Sequence, residues 1–153
     1  SAKIRAGARD KDGRLVGVGY IQEHDRISVE WTAGAILAAQ SLIQFYAPTH
    51  PPWAQEIAED RFMMREGIET LRTDLSAQQA AYSYSSRRGW IPFGWFSHDP
   101  AVLSLASTGW VIFIDRGFNP FLLPGATNPT TDPIRNATIV KSGIENIVFP
   151  WFN

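Results

Sequence analysis

Cysteine is absent from this chain of 153 residues. That excludes disulfides, thiolate catalysis and cysteine-held zinc or iron–sulfur sites, and leaves the redox compartment open. A charge excess is absent too: 14 Lys and Arg stand against 15 Asp and Glu, a formal net charge of −1. Nucleic-acid binding normally carries a basic surplus, so no nucleic-acid partner is expected. No apolar run reaches the roughly 18 residues of a membrane span, so none is expected. The start, SAKIRAG, has neither Met nor an apolar signal region and reads as a processed end. Phosphate-loop, dinucleotide, nucleophile-elbow and H-E-x-x-H motifs do not occur. His24, His50 and His98 lack metal-type spacing, so neither a metal nor a cofactor is expected.

Aromatic residues are plentiful, at 12% with six tryptophans. They concentrate in YSSRRGWIPFGWFSHD, residues 84–99, where Gly89, Pro92 and Gly94 argue against a regular element. Such a stretch either plugs the end of a core or offers flat faces to a ligand.

The flanking segments give the expected frame. KIRAGAR and RLVGVGYIQ around DKDG predict a β-hairpin over residues 3–22, with bulges near its glycines. Residues 28–46 predict a helix capped by Ser28, with Glu30 in its first turn and apolar residues all round, hence buried. Pro48, Pro51 and Pro52 end it. In residues 53–75 the stripe Ile57, Met64, Ile68, Leu71 and Leu75 predicts an amphipathic covering helix. Asp99 followed by Pro100 predicts the start of a third, buried helix, closed by a left-handed Gly117. Residues 118–137 predict a wrapping loop, and ATIVK and ENIVF two short strands.

The segments VEWTAGAILAA and IPFGWFSHDPAVLSLASTGWVIFIDRGFNPF resemble inner-helix entries of an (α/α) toroid, the barrel of many glycan-active enzymes. The resemblance covers Glu30 to Gly117. It implies a mainly α fold of antiparallel helical hairpins with small peripheral β-hairpins; a compact α+β fold is the alternative. It also implies one domain over 1–153, read as the C-terminal part of a longer barrel. The expected ligand is a polysaccharide or oligosaccharide, bound or hydrolysed in an aromatic-lined cleft; the alternative is a non-catalytic domain docking a protein partner through the aromatic loop. The remainder of a longer chain or a second copy is the further expected partner.

Glycoside hydrolysis needs two carboxyl groups, and QEHDRISVEW supplies candidates just before a helix. Glu30 and Asp25 form the expected pair, with Glu23 nearby. Tyr84, Arg87, Trp90, Trp95, His98 and Trp31 are the expected substrate contacts, the rings for stacking and Arg87 for hydroxyls or carboxylates.

Overall fold

The computed structural model describes residues 6–20, 26–91 and 94–122. Along the chain run β1 (Gly7–Arg9), β2 (Leu15–Val18), α1 (Val29–Tyr46), α2 (Pro51–Glu69), β3 (Arg72–Ser76), β4 (Gln79–Ser83), β5 (Trp90–Ile91), β6 (Trp95–Phe96), β7 (Leu103–Ser104) and α3 (Leu105–Asp115). The strands form three small antiparallel sheets, β1-β2, β3-β4-β7 and β5-β6. Helices and sheets are interleaved, so the fold is mixed α+β. The mainly α, toroid-type arrangement expected from the sequence is incorrect, because two segments read as helix are strands.

The first of these is the end of the covering helix. α2 begins at Pro51 and stops at Glu69. Its stripe buries Met64 and Ile68 and half-buries Ile57, but Leu75 belongs to β3 and is exposed. Leu71 N donates to Ile68 O (2.9 Å) and Ser83 N donates to Leu71 O (3.1 Å), turning the chain into the β3-β4 hairpin. Strand pairing thus overrides a helical spacing that continues in the sequence.

The second is the start of the last helix. Asp99 caps only a turn, its Oδ1 accepting from Ala101 N at 2.9 Å. Leu103 and Ser104 then pair with Ser83 and Tyr82 of β4. The helix cap is Ser104, whose Oγ accepts from Ser107 N at 3.2 Å. Gly117, at φ +63°, follows as expected for a left-handed helix end. α3 is not buried all round: Ser107 and Val111 face inward, while Leu105 is 88% exposed and Ile112 is also exposed. Residues 137–141 and 145–149, read as two strands, lie outside the described residues.

α1 carries the core. Val29, Ala33, Ile36 and Ala39 pack with Leu15 and Val18 of β2, Met64 and Ile68 of α2, Tyr82 and Val111. Each large side chain fully buried this way contributes about 1.5–3 kcal/mol. The opposite face of α1 stays exposed, so this helix too departs from the expectation of burial on all sides. The β1-β2 hairpin has its register shift between Ala8 and Arg9, and its turn is tied by Asp10, whose Oδ1 accepts from Asp12 N and Arg14 N, both at 2.9 Å.

β2 crosses α2 at Gly67 with no room for a side chain. A Cβ there would meet Val16 O at 1.8 Å. Gly67→Ala should therefore lower stability by about 3 kcal/mol or more, measured by urea unfolding; a loss no larger than that of an exposed Gly→Ala change would refute the close crossing.

The helix ends and the β3-β4 hairpin meet in a polar network. Arg65 pairs with Glu69 and, at 3.0 Å, with Asp115. Tyr82 Oη donates to Glu69 Oε1 at 2.9 Å. Burial, then the hydrogen bond and negative charge of Glu69, push the Tyr82 phenol up to about 12. The folded state therefore holds this proton more tightly than the unfolded chain. The resulting stability is present below about pH 10 and is lost as pH rises towards about 12. Tyr82→Phe should flatten the decline in unfolding midpoint across that window; an unchanged slope would count against the network.

Candidate functional site

The candidate site is built where three segments meet in front of α1. The backbone of residues 27–29 is bonded on both sides: Ser28 N donates to Val18 O (3.0 Å), Val29 N to Tyr84 O (3.1 Å) and Ser86 N to Ile27 O (2.9 Å). Thr32 Oγ1, one turn into α1, accepts from Val18 N at 2.9 Å. These bonds set the end of β2, the first turn of α1 and the segment after β4 side by side. Glu30, Tyr20 and Tyr84 are thereby brought to one place.

The rings form a chain. Tyr20 lies 6.1 Å from Tyr84 between centroids, and Tyr84 lies 5.8 Å from Trp95. Trp95 is 43% exposed, so the chain ends in an indole open to solvent. Beneath the rings sits Arg26, only 3% exposed. Its guanidinium lies 5.0 Å from the Tyr20 ring centre, and Nη1 donates to Tyr20 Oη at 3.0 Å. Tyr20 Oη donates in turn to Ser97 Oγ at 3.0 Å, which also accepts from Gly89 N at 2.9 Å. Ser97 N returns a bond to Gly89 O at 2.8 Å. The Tyr20 ring is thus held by a buried polar chain.

Electrostatics at the site centre on Tyr84. Burial raises its phenol above the ordinary value, and the Glu30 carboxylate and Tyr20 add to the rise. Glu30 is close enough for its charge to be felt there, and Tyr84 stays a neutral hydroxyl that can both donate and accept.

Of the residues expected from the sequence, the structure brings Glu30, Tyr84 and Trp95 together. Asp25, with Glu23 and His24, lies outside the described residues. Trp90 is exposed but belongs to another face: Trp95 and Phe96 are neighbours in β6 and point to opposite sides. Trp90 meets Phe96 edge-on at 5.1 Å, and Arg88 lies 5.4 Å from the Phe96 ring centre. Arg87 is exposed, its carbonyl accepting from Ser85 Oγ at 2.8 Å. His98 is exposed next to Ser97. Trp31 is exposed on the first turn of α1 and does not join the ring chain. The expectation that residues 84–99 hold no regular element is corrected: β5 and β6 pair, Trp90 with Phe96 and Ile91 with Trp95.

Tyr20, Arg26, Gly89 and Ser97 were not legible as site residues. Tyr20 closes a hairpin far away in sequence, and a buried arginine leaves no pattern in its neighbours. Among the described residues, no group of three or more His, Asp or Glu could hold a metal ion, and no helix is long and apolar enough to cross a membrane. The chain matches no family model, and no curated protein or solved structure is significantly similar to it.

Gly89 is the tightest point of the support. A Cβ there would meet Arg26 Nη2 at 2.0 Å. Gly89→Ala should displace the guanidinium from Tyr20 and lower stability by about 1–3 kcal/mol, read by thermal unfolding. Arg26→Ala in the same background should add little further loss, since both changes break one unit; full additivity would overturn the coupling.

Proposed function

We propose that the Tyr20–Tyr84–Trp95 face binds carbohydrate, a polysaccharide or oligosaccharide, with Glu30 accepting hydrogen bonds at its edge. The observation that carries this reading is the chain of ring contacts ending on the open Trp95 indole, with Glu30 close enough to the middle ring, Tyr84, for its charge to be felt there. Sugar rings present apolar C–H faces that stack on aromatic rings, and hydroxyls that donate to carboxylates. The Tyr84 phenol supplies a neutral partner for further hydroxyls. The buried bonds among Arg26, Tyr20 and Ser97 fix the ring orientation before binding, which lowers the ordering cost on association. Hydrolysis requires a second carboxyl opposite Glu30, and Asp25 is the residue assigned to that role by this proposal.

The test is a titration with neutral glucans and uronate polymers, followed by affinity electrophoresis or tryptophan fluorescence. Trp95→Ala should weaken binding at least about tenfold, or roughly 1.4 kcal/mol. Trp53→Ala, whose indole stacks on His50 at 4.5 Å beyond the far end of α1, should leave it unchanged. Silence across the panel, or equal loss in both variants, removes the proposal. Release of new reducing ends that disappears in Glu30→Gln and in Asp25→Asn would extend it from binding to hydrolysis.

A further inference from the structure

The β5-β6 hairpin has a second face, whose side chains take no part in the Tyr20–Tyr84–Trp95 chain. Trp90 pairs with Phe96 and Ile91 with Trp95. Ser97 N donates to Gly89 O at 2.8 Å, which extends the same register one step toward the base of the hairpin. Alternation sets Ile91, Trp95 and Ser97 on the inner side. Arg88, Trp90, Phe96 and His98 fall on the outer side, and all four are exposed, Trp90 at 49% and Phe96 at 55%.

This outer group combines two ring faces with an uncommitted cation. Trp90 meets Phe96 edge-on, and the Arg88 guanidinium lies over the Phe96 ring, 5.4 Å from its centre. Among the described residues, Arg88 has no hydrogen-bond or ion-pair partner. Its planar fork of donors is oriented by a ring and open to an acceptor. The ladder beneath is fixed, since Gly89 N and Tyr20 Oη both donate to the buried Ser97 Oγ. Little ordering is left for a ligand to impose.

We infer that this outer face binds the uronate units of an acidic polysaccharide, with Trp90 and Phe96 stacking the sugar ring and Arg88 pairing with its carboxylate. The inference rests on the glycan reading and narrows it to carboxylated sugars. A uronate joins an apolar C–H face to a carboxylate within one unit, as the outer face joins rings to a guanidinium. The guanidinium meets that carboxylate with two parallel N–H···O bonds, a match that a neutral sugar lacks. His98 adds a ring N–H on the same side.

The test compares an oligogalacturonate with its carboxyl-reduced, neutral counterpart of equal length, by calorimetric titration of the full chain. The acidic oligomer should bind about tenfold more tightly. Arg88→Gln, a change at an exposed side chain, should abolish that preference. The Trp90 indole N–H resonance should move on adding the acidic oligomer, and should not move in Arg88→Gln. Equal affinity for the two oligomers, or a preference that survives Arg88→Gln, overturns this inference. The glycan reading then stands if Trp95→Ala abolishes the remaining binding, and falls as well if neither oligomer binds. Dextran sulfate bound as tightly as the galacturonate also overturns the inference, since attraction to any polyanion needs no carboxylate.

Discussion

The structure depends on one short length of buried backbone, residues 27–29, which is hydrogen-bonded on both sides before it enters α1. Val18 O takes Ser28 N on one side, and Tyr84 O takes Val29 N on the other. An unpaired backbone group at this depth would cost about 1–3 kcal/mol, so breaking either bond is expensive. They hold the first hairpin, the start of α1 and the aromatic stretch in one frame. Core packing then follows on the inward face of α1, and the ring chain follows at its N-terminal end.

Polar groups do unusual work in this fold. Arg26 is buried under Tyr20 and Gly89, and Arg65 and Glu69 are largely covered where α2, β4 and α3 meet. In both places a guanidinium is matched by ring faces or carboxylates, as burial of charge demands. One cluster locks the elements to each other and the other orients rings toward solvent. The second arrangement gives the glycan proposal its physical basis: rigid aromatic faces, a neutral phenol and a carboxylate on one rim.

Much of the framework was legible locally. The Asp10–Gly13 turn, the proline-rich break after Tyr46 and the Gly117 stop each rest on the chemistry of adjacent residues. α1 does start after Ser28, but the Ser28 side chain makes no cap bond, and the backbone there is held by Val18 and Tyr84. Where local signals competed with pairing partners distant in sequence, reading failed. Leu71 and Leu75 continue a helical spacing, yet β4 captures Arg72–Ser76 as a strand. Asp99-Pro100 is a helix-start dipeptide, yet β4 also captures Leu103 and Ser104 and moves the cap downstream. Apolar composition alone also overstated burial, since Leu42 and Phe45 of α1 and Leu105 and Ile112 of α3 are exposed.

The sequence by itself determined what chemistry is at hand: no thiols, balanced charge, abundant tryptophan, and Glu30 at a helix start. These follow from composition and from interactions within a turn or two. Only the tertiary structure decided which rings meet. It split the aromatic stretch, sending Trp90 with Phe96 to one side and Trp95 to the other, because β5 and β6 pair and successive side chains in a strand must diverge. It also recruited Tyr20 and Arg26 from beyond the stretch, joining Trp95 to Tyr84 and, through it, to Glu30. Such contacts arise from hydrogen bonds between segments far apart in the chain, and no pattern among neighbours encodes them.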